Sequence, residues 1–385
     1  MAGFYDFGAR LEQLRRDNLL RRVVSHDGPQ GPLLEVDGRR LVNFCSNDYL
    51  GLAAHPDLAA ALAAGAAAYG VGGGAAHLLS GHARPHRLLE EELAAFTGRE
   101  KALLFSTGYM ANLGVISALV GPGDVVLQDR LNHASLLDGA LLARARLSRF
   151  RHADLADLEA RLQAHEGRCL IVSDAVFSMD GDIADAPGLA ALAARHGAGL
   201  LLDDAHGFGV LGAHGGGAVE HFGLSQAQAP LLMATLGKAC GGFGAFVAGS
   251  AELIEWLVQS ARTYIYTTAM PPAVAEANRA ALRIVRHEAW RREKLAGLIT
   301  RFRAGAERLG LAISQSSTPI QPLLLGDSGR VLQAGQGLRE RGFWVGAIRP
   351  PTVPAGTARL RISLSAAHEE SQVDALLQAL HEVLA

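Results

Sequence analysis

Three lysines, three cysteines and 6% aromatic residues are little for a chain of 385 residues. Cys45, Cys169 and Cys240 are odd in number and form no Cys-x-x-Cys pair, which argues against a disulfide framework and fits a reduced, cytoplasmic setting. No apolar run approaches the roughly 18 residues of a membrane-spanning helix. The first residues, MAGFYDFGARLEQLRRDN, carry Asp6, Glu12 and Asp17 and no apolar core, so no targeting peptide is expected. Neither charge sign prevails: the formal net charge of −2 gives no basic surface for nucleic acid or an anionic membrane. What is present is 49% hydrophobic and 19% charged residues, enough for a sizeable core and, at this length, for about two domains.

Short apolar runs alternate with helical patterns over most of the chain. Strands are expected at 102–105, 125–128, 169–173, 199–202, 231–235 and 245–248. Between them, Leu155, Leu158 and Leu162 share a helix face behind Asp154 as N-cap, and a further helix runs from Pro187 to a stop at Gly197. The alternation predicts an α/β fold with a mainly parallel sheet covered on both faces. After about Pro272 the texture changes. One long Arg-rich helix is expected over 273–309, then strands at 321–325, 343–345 and 358–364, then a helix with Val373, Leu376, Leu377 and Leu380 on one face. These boundaries give an N-terminal helix and arm (1–45), a large domain (46–272) and a smaller C-terminal α+β domain (273–385). The first 20 or so residues read as an amphipathic helix.

Two leads are set aside. Gly207-Phe-Gly209-Val-Leu-Gly212 matches G-x-G-x-x-G, but Ala-His-Gly-Gly-Gly follows and starts no stable helix, and the next strand carries no acid at its end. His82 and His86 stand at i, i+4, but Pro85 between them spoils a helix interior, and no Cys/His cluster has zinc spacing, so no metal is expected.

Of the lysines, Lys101 and Lys294 sit among charged neighbours. Lys238 follows the apolar run Leu231-Leu-Met-Ala-Thr235 in a Gly-rich loop. Strand ends of open α/β sheets are where ligands bind, and a lysine withdrawn from water can form a Schiff base. Asp203-Asp204-Ala-His206 ends another strand; an acid there can keep a pyridinium protonated, and His206 can meet a phenolic oxygen. Ser106-Thr107-Gly108-Tyr109 leads from a strand into a helix, whose free N–H groups make a phosphate cradle or a plain N-cap. His133 follows a fourth strand, where an imidazole can stack on a flat ring.

Together with Phe177-Ser178-Met-Asp-Gly-Asp182 and Ser46-Asn47-Asp-Tyr-Leu-Gly51, these segments resemble the α-oxoamine synthases, fold-type I transferases that depend on pyridoxal 5′-phosphate. The resemblance covers essentially the whole chain. The tail Ala347-Ile-Arg349-Pro-Pro-Thr352-Val-Pro is similar to the branch that condenses L-alanine with pimeloyl-CoA, or pimeloyl-carrier protein, in biotin synthesis. The resemblance implies Lys238 as the Schiff-base lysine and, with His133 and Asp203, as the catalytic set. It implies Asp203 on the pyridinium, His206 on the phenolic oxygen and His133 stacked on the ring. Gly108, Tyr109, Ser178 and Thr235 become further cofactor contacts. Arg21, Asn47, His133, Arg349 and Thr352 become substrate contacts, with Arg349 a carboxylate clamp. Thr267 and Thr268 resemble a phosphate-contacting loop lent by a second subunit, which implies a homodimer. Ala239-Cys240 after the lysine, and the run Gly70-Val-Gly-Gly-Gly-Ala-Ala-His77, depart from the family pattern.

Overall fold

The computed structural model describes residues 4, 5 and 7–385. Among these, twelve strands form two sheets: β1 (Leu33–Val36), β2 (Arg39–Phe44), β3 (Lys101–Phe105), β4 (Val125–Asp129), β5 (Arg146–Phe150), β6 (Cys169–Asp174), β7 (Gly199–Asp203), β8 (Leu231–Thr235), β9 (Ala245–Gly249), β10 (Ile320–Gly326), β11 (Phe343–Ile348) and β12 (Ala358–Ser363). The chain divides into two compact units. The larger is Leu50–Ser178 with Ile183–Arg292; the smaller is the chain up to Tyr49 with Met179–Asp182 and Glu293–Ala385. The division falls at neither 45 nor 272. The strand β2 pairs with β11, and the helix Pro272–His287 packs on the helices Pro56–Tyr69 and Arg84–Thr97 of the larger unit.

The larger unit holds a seven-stranded sheet in the order β3-β9-β8-β7-β6-β4-β5. The run from β8 to β5 is parallel, and only β9 runs against it, antiparallel to both of its neighbours, β8 and β3. The α/β class with a mainly parallel sheet is as expected from the sequence. Side chains alternate between the faces of a strand. Leu201 therefore packs with Val126, Val172 and Val247 on one face, while Leu200 and Leu202 pack with Leu127, Ile171 and Leu232 on the other. With both faces covered, near-continuous apolar strands are stable. The edge strand β5 was not anticipated: Arg-Leu-Ser-Arg-Phe reads as surface because only Phe150 is fully buried.

Helix starts follow local chemistry. Asp154 Oδ1 accepts the Asp157 N–H at 2.9 Å, and Asp185 Oδ1 accepts the Gly188 N–H at 2.9 Å, with Pro187 in the first turn and Gly197 at the left-handed stop (φ 61°). The expected helix over 273–309 is two helices, Pro272–His287 and Ala289–Arg308. Glu288 leaves the helical region (φ −103°, ψ 64°), and its carboxylate accepts Arg291 Nε at 2.7 Å. No residue between Val285 and Leu295 is buried, so the core-facing stripe is interrupted at the break.

The smaller unit carries a five-stranded sheet, β1-β2-β11-β12-β10. Asp37 and Gly38 join β1 to β2, both with positive φ (51° and 71°), as a two-residue hairpin turn requires. The last helix, Glu370–Leu384, buries Val373, Leu376, Leu377 and Leu380 as its pattern predicted. The N-terminal helix is only Gly8–Arg16 and buries nothing.

Candidate active site

Parallel strands deliver their C-terminal residues to one edge of the sheet. Asp174, Asp203 and Thr235, the last residues of β6, β7 and β8, line one cavity of about 210 Å³. Gly108, Tyr109, His133, Ser178, His206 and Lys238 line it too. Eight of the residues singled out from sequence thus meet at one place, from segments spread over 130 positions of chain. A larger concavity of about 590 Å³ in the smaller unit is lined by Arg15, Arg22, Arg339 and Arg349 with Trp344; it offers neither nucleophile nor acid.

Asp203 is buried and accepts two hydrogen bonds, from the Ala205 N–H at 3.0 Å and from Asn112 Nδ2 at 2.7 Å. Its neighbour Asp204 is spent on the backbone: Oδ2 accepts the Ala218 N–H at 2.7 Å. Burial above all pushes the Asp204 carboxyl up to about 8. Lys238 Nζ lies 2.9 Å from His206 Nε2. Thr235 Oγ1 donates to the Gly244 carbonyl at 2.9 Å and accepts the Gly237 N–H at 3.2 Å, bracing the loop that carries the lysine. Ala239, where the family pattern differs, packs against Gly209 (φ +83°), at which a Cβ would come within 2.7 Å of the Ala239 Cβ.

The helix Gly108–Leu119 opens at the cavity. Thr107 Oγ1 accepts the Met110 N–H at 3.2 Å, and the first N–H groups have no intrahelical acceptor. His133 caps the next helix, Ala134–Leu142. Its N–H donates to Asp174 Oδ2 at 2.8 Å. Burial lowers the His133 imidazole pKa, against the pull of Asp203. Burial, with Asp203 nearby, holds the Asp174 carboxyl well above the usual range. The Tyr109 hydroxyl donates to Asp138, and the Tyr109 and His133 rings stand nearly perpendicular with centroids 6.2 Å apart.

Thr267 and Thr268 are not among the residues lining the cavity; Thr268 pairs with Ala76 on a separate loop. Arg21, Asn47, Arg349 and Thr352 belong to the smaller unit. There Arg21 Nη2 donates to Thr352 Oγ1 at 3.2 Å, and Arg349 donates to the Asn18 carbonyl. Asn47 Oδ1 accepts Arg361 Nη1 at 3.2 Å. Arg361 is a contact of this group that the motifs do not point to. It is buried in β12 and also donates to Ser363 Oγ at 2.8 Å. Two arginines, Arg359 and Arg361, inside an otherwise apolar strand are the signal that could have found it. Arg359 bonds Asp180 Oδ1 at 2.5 Å, and Ser316 and Thr318 donate to the Gly181 carbonyl at 2.8 and 2.9 Å. The segment Met179–Asp182 is thereby seated in the smaller unit.

His82 and His86 lie differently from the sequence expectation. Pro85 does not interrupt a helix; it lies in the first turn of Arg84–Thr97, where a missing N–H costs nothing. His77, His82 and His86 bring ring nitrogens within 4.8 Å of one another. Four of their six ring nitrogens are hydrogen-bonded. His86 Nδ1 accepts the Ala83 N–H at 2.9 Å and Nε2 reaches the Met270 carbonyl at 2.8 Å, while His77 Nδ1 meets His82 Nδ1 at 2.9 Å. The cluster ties the turn at Ala83 to the chain at Met270.

The aminotransferase class I and II family matches residues 39–380. An 8-amino-7-oxononanoate synthase from Pseudomonas putida (strain GB-1) is 61% identical over 98% of this chain and 97% of its own, and one from Pseudomonas paraeruginosa (strain PA7) is 62% identical over 98% and 94%. Among solved structures, a serine palmitoyltransferase from S. paucimobilis with pyridoxal phosphate bound superposes with a TM-score of 0.93, at 31% identity over 99% of this chain and 97% of that one. An 8-amino-7-oxononanoate synthase from Francisella tularensis gives 0.79, at 31% identity over 89% and 98%.

Proposed function

Because the chain belongs to the class I and II aminotransferase family, we propose that its Lys238 cavity condenses L-alanine with a pimeloyl thioester, releasing carbon dioxide and giving 8-amino-7-oxononanoate for biotin synthesis. The observation that carries this reading is the convergence of Lys238, His206 and Asp203 on one cavity beside a helix start. The donor set fits pyridoxal 5′-phosphate: a primary amine for the aldehyde, a doubly bonded carboxylate for the ring N–H, an imidazole for the phenolic oxygen and helix N–H groups for the phosphate. When bound, the cofactor supplies an electron sink for charge developing at the alanine α-carbon.

Each protein group then has a task. Asp203 keeps a proton on the ring nitrogen. Lys238 Nζ takes the alanine α-proton as general base and returns a proton at the end. Arg349 would clamp the alanine carboxylate and so fix the orientation of the bonds at the α-carbon. His133, which lines the cavity, would pack against the ring and donate a hydrogen bond to the thioester oxygen as it gains charge. Arg21, Asn47 and Thr352 hold the acyl substrate. The α-carbon bonds the thioester carbonyl, the carbon–sulfur bond breaks, the thiol leaves, and the carboxylate departs as carbon dioxide. Thr267 and Thr268 serve the phosphate of a second subunit in a homodimer. The setting is cytoplasmic; among the described residues no helix is long and apolar enough to cross a membrane.

The test supplies L-alanine and pimeloyl-CoA to the holoenzyme and follows free thiol and labelled carbon dioxide. The reading expects the two in equal amounts, with L-alanine preferred over glycine and L-serine. Preference for L-serine with a long-chain acyl-CoA would replace it with the activity named for the palmitoyltransferase relatives. Nitrogen transfer to an oxo acid without carbon dioxide would make the protein an aminotransferase.

A further inference from the structure

The Asn112 side chain lies between two residues of the site. Nδ2 donates to Asp203 Oδ2 at 2.7 Å and to Ser135 Oγ at 2.8 Å. Ser135 Oγ in turn lies 2.7 Å from His133 Nδ1, and the Ser135 N–H reaches the same nitrogen at 3.3 Å. Asn112 and Ser135 are both buried, as is Asp203. The Asn112 carbonyl Oδ1 is buried with no hydrogen-bond partner among the described residues. An amide that leaves its own acceptor unbonded is oriented by its other end. Turned over, it would set a carbonyl against the Asp203 carboxylate.

This order propagates in one direction. Asp203 accepts, so Asn112 presents NH₂ toward it. The second N–H of that NH₂ faces Ser135 Oγ, which therefore accepts. The Ser135 hydroxyl hydrogen is left to donate, and the nearest acceptor is His133 Nδ1. With two donors aimed at Nδ1, the ring proton of the neutral imidazole belongs on Nε2. Burial, and after it Lys238, lowers the pKa of this imidazole, opposed by Asp203 and Asp138.

We propose that Asn112 and Ser135 are positioning residues that lock His133 as the Nε2–H tautomer, transmitting the acceptor character of Asp203 across the site to a hydrogen-bond donor. The carboxylate that serves the ring nitrogen thus also sets the proton of the imidazole on the other side of the site. The use of that donor, toward a thioester oxygen gaining charge, rests on the function proposed above; the tautomer does not.

The experiment uses holoenzyme labelled with ¹⁵N-histidine, with His133 assigned by loss of its signals in His133→Gln. Near neutral pH the wild type should show one His133 species, protonated at Nε2 and bare at Nδ1. Ser135→Ala, with only the longer backbone bond left, should show both tautomers, with kcat about tenfold lower and KM for L-alanine little changed, as expected for one net hydrogen bond. Asn112→Ala, which frees the serine hydroxyl to turn, should move the tautomers the same way while cofactor content stays near one per chain. Ser135→Thr, which keeps the hydroxyl, should restore the single species. A wild-type His133 protonated at Nδ1, or an unchanged single species in both alanine variants, overturns the proposal. A locked tautomer in a protein that does not turn over L-alanine and pimeloyl-CoA would instead retire the proposed function and leave this inference standing.

Discussion

At the scale of single residues, Asp203 and Asp204 show why adjacent identical side chains differ in use. Asp203 ends its strand facing the cavity; Asp204, one residue on, caps the backbone at Ala218. Asp203→Asn should retain some cofactor yet slow α-proton exchange of L-alanine by orders of magnitude. Asp204→Asn should leave that exchange within a few-fold and lower the unfolding temperature. Both are read by proton NMR in deuterated water and by thermal melts, and the reverse assignment would exchange the two outcomes. Lys238→Ala should abolish turnover and the visible absorbance that appears when pyridoxal phosphate is added; retained colour would mean that another amine holds the cofactor. Lys238, Asp203, His206 and His133 were legible because each is a polar residue at the end of an apolar strand or within a few positions after it. Asn112 and Ser135 were not, because a buried amide or hydroxyl looks the same in sequence whether it caps a helix or orders a proton.

At the scale of elements, the parallel strands were legible from their apolar runs and the helix starts from Asp154 and the Pro187–Gly197 pair. Elements held by tertiary pairing were not. The edge strand β5 has no apolar run to show and is held by its pairing with β4. The turn at Met179–Asp182 depends on Gly181, which has φ +74° and would place a Cβ 2.3 Å from the Ile320 carbonyl. Gly181→Ala should therefore destabilise the fold by about 1–3 kcal/mol, the usual cost of a strained backbone position. Urea midpoints would measure it, and an unchanged midpoint would mean that the turn relaxes freely.

At the scale of the whole molecule, buried titratable groups set the pH range of stability. Burial lowers His77 to about 3 and His368 to about 4. Their unfolded forms protonate near 6.5, so the stability they lend is present above that pH and is lost as the pH falls toward these values. Glu90 moves oppositely. Burial raises it to about 8, so its contribution is present below about 4.5 and is lost as the pH rises through 8. Melting temperatures measured from pH 4 to 9 should fall off at both ends. Glu90→Gln, which carries no charge at any pH, should flatten the alkaline side alone; an alkaline decline of unchanged steepness would show that Glu90 does not set it. None of this was visible beforehand, because the sequence does not say which histidines and acids are taken out of water.

The parallel pairing of β2 with β11 joins Val42 to Phe343, about 300 positions apart. At a ribosomal pace of about 5–20 residues per second, the hairpin of β1 and β2 emerges roughly 15–60 s before its neighbour is made. Throughout that interval one hydrogen-bonding edge of the hairpin is open to any other extended chain. Ribosome-arrested chains ending near residue 340 should already resist protease across Leu50–Ser178, yet be cut within Leu33–Phe44 until translation proceeds past β11.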